Sequence, residues 1–130
     1  MLFRSKREPF APLVKKVKFA KFNDIKSVAK KISKRTAMVI IEPIQGERGI
    51  IPAASGFLKE LRLITQDNGS LLAIDAVQTG MGRTGQWFGY EHEAITPDVI
   101  TLAKGLGGGL PIGAMIAIGS AAKRSEEHTV

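Results

Sequence analysis

Short apolar runs rich in β-branched residues alternate along the chain with stretches of helical periodicity, and this alternation limits the fold more than any other feature. Residues 37–41 form the first run, which stops before Pro43 and is predicted to be a strand buried on both faces. Residues 71–75 and 99–102 are two more buried strands, and residues 112–118 supply another. Strands that alternate with helices favour an α/β fold, a mostly parallel sheet flanked by helices.

Two helices are predicted between these strands. The first begins at Asn23 or Asp24 as N-cap, shows apolar residues at helical spacing, and ends near Lys34. The second begins at Ser55 and closes at residues 68–69, where Asn-Gly is a helix-stop signal.

Composition restricts the kind of protein. With 130 residues, 44% of them hydrophobic, the chain is long enough for one core, so we expect one domain or part of one. The absence of cysteine excludes a disulfide framework, a thiolate metal site and a cysteine nucleophile. No apolar run approaches the ~20 residues that span a bilayer, which excludes a membrane-spanning protein, and no metal site is predicted.

The positive charge is concentrated near the N-terminus. The first 35 residues contain twelve Lys or Arg and two acids, whereas the remainder contains seven and ten. Residues 1–22 have three possible interpretations: a nucleic-acid-binding arm, a transit peptide or a solvated basic lead-in to the fold. The composition favours the solvated lead-in over the other two. The phenylalanines of this segment are predicted to be buried anchors and not base-stacking platforms: Phe3, Phe10, Phe19 and Phe22.

Ionisable and polar residues follow three of the predicted strands. Glu42 and Glu47 come after the first, Asp75 and Gln78 after the second, and Lys104 after the third. Because ligands of open parallel sheets bind at the carboxyl ends of the strands, we expect these side chains to face a common rim.

Asp75 and Lys104 together indicate a particular chemistry. Alone, Asp75 is explained by a helix N-cap or a salt bridge, and Lys104 by a snorkelling side chain or a phosphate ligand of the glycine-rich stretch after it. A lysine buried after a strand would lose its proton easily and attack a carbonyl. An aspartate opposite it would hold a protonated heterocyclic nitrogen, and pyridoxal 5'-phosphate offers both an aldehyde and a pyridinium.

Three motifs resemble the class III aminotransferases: EPIQGE at residues 42–47, DAVQTGMGRTG at 75–85 and PDVITLAKGLGGGLPIGA at 97–114. The resemblance covers residues 19–118 and implies that residues 1–130 are part of the cofactor-binding large domain of a fold-type I pyridoxal-phosphate-dependent transferase. VKFAKFND, FGYEHEAITPD and AKGLGGGLPIGAM are most similar to the acetylornithine branch of the family, with the ornithine and 4-aminobutyrate branches as alternatives.

The resemblance implies a role for each matching residue. Lys104 would form a Schiff base with pyridoxal 5'-phosphate and later move a proton, while Asp75 would pair with the pyridine nitrogen. Val77 would pack on the ring, Gln78 would hydrogen-bond the phenolic oxygen, and Glu47 would be a switch that pairs with an arginine until 2-oxoglutarate binds. The implied function is transfer of an amino group from N-acetylornithine, or a related ω-amino acid, to 2-oxoglutarate in arginine biosynthesis.

Other positions are interpreted as structural or depart from the family pattern. Arg83 is expected to brace its loop or to be solvated, and Glu42 to orient its loop. Ala76 stands where the family usually has an acid, and residues 1–130 contain no match to the phosphate-binding turns or the substrate arginine. The alternative hypothesis is therefore a truncated, inactive chain or an interaction module. The resemblance further implies a homodimer in the bacterial cytoplasm or, alternatively, the mitochondrial matrix.

Overall fold

A four-stranded sheet organises the part of the chain that the computed structural model describes, residues 8–126. The strands are β1 (Met38–Ile41), β2 (Ile44–Gln45), β3 (Ile51–Pro52), β4 (Leu71–Asp75), β5 (Val99–Leu102) and β6 (Ala114–Ala117). The α-helices of these residues are α1 (Ile25–Ala29), α2 (Phe57–Asp67) and α3 (Ser120–Glu126), and 3-10 turns occur at Glu8–Phe10, Glu91–Glu93 and Lys104–Gly107.

The sheet has the order β1-β4-β5-β6. Strand β4 lies parallel to β1 on one side and to β5 on the other, with Ile74 opposite both Ile41 and Ile100. Strand β6 is antiparallel to β5. The prediction of a mostly parallel sheet in an α/β fold is confirmed. The short β2–β3 hairpin that follows β1 was not predicted.

Helix α2 builds the main core. It begins after Gly56, whose φ of 82° lies in the left-handed region, and ends before Asn68, close to the predicted limits. Leu58 and Leu61 are almost completely buried, and burial of each leucine side chain contributes roughly 1.5–3 kcal/mol. The buried members of this core come from helices α1 and α2, the sheet and the loops: Val28, Phe57, Leu58, Leu61, Leu72, Ile74, Ala76, Tyr90, Ile100 and Leu102.

Helix α1 is shorter than predicted. Its start is right, since the Asp24 carboxylate accepts a hydrogen bond from the Ser27 N–H at 2.9 Å. It ends at Ala29 and not near Lys34. Val28 is its one buried residue, and packing of an apolar face supplies most of the stability of a short helix. Without further buried residues, the next turn does not continue as α-helix.

Strand β1 is not buried on both faces, so that prediction is wrong. Met38 is 47% exposed and Ile40 57% exposed, whereas Val39 and Ile41 pack against the core. The reason is position: β1 is an edge strand, and in residues 8–126 the opposite sheet face is covered only near Ala73 and Val99, which pack against α3 through Ala121.

Only some of the phenylalanines that were predicted to anchor the basic N-terminal segment are packed against the fold. Phe22 packs edge-on against Phe57 with ring centroids 5.9 Å apart. Phe10 and Phe19 are 75% and 69% exposed, so the prediction that they are buried is wrong, and Phe3 lies outside the described residues. Of the helices that the structure describes, none has the length and apolar character needed to cross a membrane.

Candidate active site

A cavity of about 480 Å³ lies beyond the carboxyl ends of β4 and β5. Small-molecule sites in proteins have volumes of roughly 300–1,000 Å³, so this cavity has the size of a ligand site. Its walls come from the β2–β3 hairpin, the loop after β4 and the turn after β5: Ile44, Gly46, Ile50, Val77, Gln78, Thr79, Gly80, Met81, Arg83, Thr84, Lys104 and Gly105.

Three of the five residues singled out from the sequence line this cavity together, namely Val77, Gln78 and Lys104. Asp75 and Glu47 do not line it. Asp75 is the last residue of β4, two positions before Val77, and Glu47 lies in the turn between β2 and β3 next to a lining glycine. The cavity therefore lies where the parallel strands end, but of the five side chains expected at a common rim only Gln78 and Lys104 line it.

Lys104 begins the 3-10 turn that follows β5. Its φ is 46°, in the left-handed region that non-glycine residues seldom adopt. The side chain is exposed, so the expectation of a lysine buried after a strand is wrong. The reason is that β5 already ends at Leu102, and the backbone turns at Lys104, beyond the packed end of the strand. Lys104 thus stands in the wall of an open cavity.

Asp75 keeps one carboxylate oxygen uncommitted. Its Oδ1 accepts a hydrogen bond from the Val77 N–H at 3.0 Å, an Asx turn that fixes the carboxylate at the strand end. Within residues 8–126 the other oxygen has no hydrogen-bond partner and the residue forms no ion pair. The N-cap and salt-bridge explanations for Asp75 do not apply to these residues.

The positions of Asp75 and Lys104 follow from strand pairing. Asp75 lies opposite Thr101 of β5, and Lys104 comes three residues after Thr101. Adjacent strands are about 4.8 Å apart and rise about 3.3 Å per residue, which puts the two backbones on the order of 10 Å apart.

Gly46 allows the Gln78 side chain to pack against the turn after β2. A Cβ atom at Gly46 would lie 2.6 Å from both Nε2 and Oε1 of Gln78, closer than atoms of real side chains approach. The Gly46 N–H also donates to the Glu42 carboxylate at 3.3 Å, which agrees with the predicted loop-orienting role of Glu42. The amide of Gln78 is therefore positioned by a glycine from a distant part of the chain.

The loop after β4 folds back tightly on the sheet. The Gly80 N–H donates to the Ala76 carbonyl at 2.8 Å, and a Cβ at Gly80 would lie 2.7 Å from that oxygen and 3.0 Å from Leu102 Cδ2. Ala76 itself is buried in the main core. An acid at this position would place a carboxylate in apolar surroundings. Alanine, which stands here in place of the acid usual in the family, is therefore suited to the buried position.

Backbone strain and unpartnered hydroxyls also mark the cavity, and the sequence analysis missed both. Ile50, Met81 and Lys104 all have positive φ, and all three line the cavity; strained backbone of this kind concentrates at functional sites. Thr79 and Thr84 line it as well, and their buried Oγ1 atoms have no hydrogen-bond partner in the described part of the chain. The available signal was the pair of threonines beside glycines in QTGMGRTG.

Arg83 lines the cavity with an exposed side chain. The loop is closed by backbone hydrogen bonds, from the Arg83 N–H to Gly80 and from the Gly82 N–H to Trp87, each 3.3 Å long. Within residues 8–126 the guanidinium forms no hydrogen bond or ion pair, so it is solvated and does not brace the loop. In the same residues no group of three or more His, Asp or Glu side chains is placed to hold a metal ion.

Comparison with known proteins gives concordant results. The model of the family Aminotransferase class-III matches residues 3–127. Acetylornithine aminotransferase of Streptomyces coelicolor is 54% identical over 118 residues, which are 90% of this chain and 29% of that protein.

Two solved structures share the fold. The crystal structure of N-acetylornithine aminotransferase from Stenotrophomonas maltophilia has a TM-score of 0.77 at 45% identity, over 82% of this chain and 29% of that one. An ornithine aminotransferase from Toxoplasma gondii, with PLP at partial occupancy in its active site, has a TM-score of 0.85 at 27% identity, over 95% of this chain and 29% of that one. The chain thus spans about three-tenths of the length of these relatives.

Proposed function

The chain belongs to the class-III aminotransferase family, and from this premise we propose that the protein is a transaminase with pyridoxal 5'-phosphate as its cofactor. It transfers an amino group from N-acetylornithine, or a related ω-amino acid, to 2-oxoglutarate. The observation that carries the proposal is the meeting of Val77, Gln78 and Lys104 on one cavity, with Asp75 at the adjoining strand end. Residues 1–130 are then part of the cofactor-binding large domain, with residues 1–22 as its basic lead-in.

The residues present fit this cofactor. The cavity offers a primary amine at Lys104 for an aldehyde, an apolar Val77 side chain for a ring face and the Gln78 amide for a phenolic oxygen. The uncommitted oxygen of Asp75 is suited to a protonated ring nitrogen, because a carboxylate is a strong acceptor for a charged donor. When bound, the cofactor supplies an electron-withdrawing ring that stabilises negative charge on the substrate carbon.

Lys104 has two tasks in this proposal. Its neutral amine would hold the aldehyde carbon of the cofactor, with release of water, and once the amino substrate has taken its place the free amine would carry a proton at the substrate carbon. Asp75 is held by the Val77 N–H and therefore keeps a constant orientation during these changes.

Glu47 is proposed as the residue that adapts the site to two substrates. It lies in the turn between β2 and β3, beside the cavity-lining Gly46. A carboxylate there pairs with an arginine while the amino donor is bound and releases it for the carboxylate of 2-oxoglutarate. The support for this role is the family resemblance of the EPIQGE segment together with this location.

The choice of N-acetylornithine rests on the similarity to acetylornithine aminotransferases, at 54% identity for the relative from Streptomyces coelicolor. Ornithine and 4-aminobutyrate are the competing amino donors. For the whole protein we also propose a role in arginine biosynthesis, a cytoplasmic location and a homodimer, all on the same similarity.

Reductive labelling tests the cofactor site directly. The chain is incubated with pyridoxal 5'-phosphate, reduced with borohydride and digested, and the modified peptide is located by mass spectrometry. We expect the label on Lys104, with Lys104→Ala losing it and the exposed helix lysine variant Lys59→Ala keeping it. Label spread evenly over surface lysines would contradict the proposal.

Turnover separates the enzyme from its alternative. Glutamate formed from 2-oxoglutarate is measured on the whole protein with acetylornithine, ornithine or 4-aminobutyrate as amino donor, and acetylornithine is expected to give the highest rate. Residues 1–130 alone contain no match to the substrate arginine and are expected to form no glutamate. A whole protein that carries the label on Lys104 and forms no glutamate with any donor would favour the inactive chain or interaction module.

A further inference from the structure

Asn23 makes contacts that differ from those expected of it. The sequence predicts Asn23 or Asp24 as the N-cap of α1, and Asp24 is the residue that caps this helix. The Asn23 side chain contacts the segment at the end of β3 instead. Its Oδ1 accepts a hydrogen bond from the Ala54 N–H at 2.8 Å, and its Nδ2 donates one to the Pro52 carbonyl at 3.1 Å. One side-chain amide thus binds two backbone groups that are 29 and 31 residues away in the sequence.

The backbone of Asn23 suits this arrangement. Its φ is 59°, in the left-handed region that asparagine adopts more readily than most residues with a side chain. The residues on either side of it are attached to the fold. The Phe22 ring packs edge-on against Phe57, and the Asp24 carboxylate caps α1. The amide of Asn23 therefore extends from a part of the backbone that is held on both sides.

The β2–β3 hairpin that Asn23 contacts needs support from outside. It has two residues in each strand and is not part of the main sheet. An isolated two-stranded hairpin is at best marginally stable in water, and Pro52 has no N–H to contribute to this one. The base of the hairpin is closed by the Ala53 N–H, which donates to the Pro43 carbonyl at 2.8 Å. The Asn23 amide binds the backbone groups on either side of Ala53 and so reinforces this base.

The hairpin forms one wall of the cavity. Ile44, Gly46 and Ile50 line it, and Gly46 packs against the Gln78 amide. Glu47 lies in the turn of the same hairpin. A change at the base of the hairpin would therefore shift this wall relative to the loop after β4.

We propose that Asn23 is a positioning residue of the candidate active site. It does not line the cavity and acts through the hairpin, whose wall it holds against the Gln78 amide. The effect on the cofactor rests on the proposed function, because Gln78 is the residue assigned to the phenolic oxygen. The hold on the hairpin is independent of that function, since it follows from the two hydrogen bonds of the Asn23 amide.

Asn23→Gly tests the hold on the hairpin, because glycine accepts the left-handed backbone and lacks the amide. Hydrogen exchange of backbone amides is followed by NMR in the 130-residue chain without cofactor. The Ala53 N–H should exchange roughly tenfold faster or more, as expected for the loss of two hydrogen bonds at the hairpin base. Ile74, in the central strand β4, should keep its exchange rate because the main sheet is unchanged.

Two further variants calibrate this result. Asn23→Asp keeps an acceptor for the Ala54 N–H and loses the donor to the Pro52 carbonyl, so its Ala53 exchange rate should fall between those of the other two chains. Asn68→Gly is the matched control. It removes an asparagine amide whose Nδ2 donates to the Ile64 carbonyl at 2.9 Å, at the end of α2, and should leave Ala53 exchange unchanged.

The Gln78 side chain reports whether the hold extends to the site. Its amide NMR signals should shift in Asn23→Gly and not in Asn68→Gly, since Gly46 packs against that amide. The concentration of pyridoxal 5'-phosphate that half-labels Lys104 should rise roughly 2- to 12-fold in Asn23→Gly, as for one weakened hydrogen bond. In a Gln78→Ala background the rise should disappear while the faster Ala53 exchange remains, which a purely structural role would not produce.

The proposal is overturned if Ala53 exchanges at the same rate in Asn23→Gly and Asn68→Gly, or if Ile74 accelerates as much as Ala53. Unchanged Gln78 amide signals, or an unchanged half-labelling concentration, would equally overturn it. Absence of label on Lys104 in the unsubstituted chain counts against the proposed function alone. The exchange rates and the Gln78 signals are measured without cofactor and decide the positioning role in that case as well.

Discussion

Replacing Gly46 with alanine tests whether its contact with Gln78 shapes the site. The new Cβ would lie 2.6 Å from Gln78 Nε2 and Oε1, whereas ordinary contacts begin near 3.4 Å, so the amide has to move by about 0.8 Å. The group that moves is the end of a flexible side chain, and Gly46 does not have a left-handed backbone. The free energy of unfolding should therefore change by less than about 1 kcal/mol, as for substitutions that avoid the core.

The effect on the cofactor is expected to be larger. One neutral hydrogen bond contributes roughly 0.5–1.5 kcal/mol, and about 1.4 kcal/mol corresponds to a factor of ten. If the displaced Gln78 amide loses its bond to the cofactor, the concentration of pyridoxal 5'-phosphate that half-labels Lys104 should rise roughly 2- to 12-fold. The assay is the borohydride labelling of Lys104 over a concentration series, with a thermal melt of each variant.

Two comparisons make this prediction refutable. Gly113→Ala is the control, because its Cβ would meet only the Leu102 carbonyl oxygen at an ordinary 3.5 Å, and it should leave the labelling curve unchanged. In a Gln78→Ala background, Gly46→Ala should have no further effect on labelling. An equal loss with and without the Gln78 side chain would show that the contact between these residues does not transmit the change.

Three further predictions concern stability. Gly80→Ala should cost roughly 1–3 kcal/mol in urea unfolding, because its Cβ would lie 2.7 Å from the backbone oxygen of Ala76; an unchanged midpoint would contradict the tight loop. Asp98→Asn removes the charge partner of Arg62 in a largely buried pair, whose side chains are 12% and 24% exposed, and should cost about 1–3 kcal/mol, whereas a neutral result would mean that solvent replaces the pair. Burial and Glu91 raise the pKa of Tyr90 above its ordinary 10.0, so the folded state holds the phenolic proton more tightly than the unfolded chain and stability should fall as pH rises past 10.0. Tyr90→Phe should flatten that alkaline decline, and an equally steep decline in this variant would assign it to other groups.

Elements with a strong local pattern were predictable. Helix α2 and strands β4 and β5 lie within about two residues of their expected limits, since periodicity and the Asn68–Gly69 stop act within a few residues. The position of Asp75 at a strand end follows from the same local reasoning. The ends of α1 were not predictable in this way, because its length depends on how much of it the rest of the fold buries.

Burial depended on neighbours that sequence patterns do not reveal. Met38 and Ile40 belong to an apolar run that predicts a fully buried strand, yet they lie on an edge strand with one uncovered face. Lys104 is exposed because the chain turns just after β5, through a left-handed residue that is not glycine. Such turns are set by contacts between segments and leave no signature in residue type.

The sequence by itself determined the class of fold, the succession along the chain of the four strands of the main sheet, and the two ionisable groups, Asp75 and Lys104, at or just after strand ends. These depend on local periodicity and on the rule that parallel strands end at one rim. The tertiary structure alone decided which other residues share the cavity, including Arg83 and the Gly46–Gln78 contact. Gly46 and Gln78 are more than thirty residues apart in the sequence, and their contact forms only when the chain packs. Local sequence patterns do not fix distances of this kind.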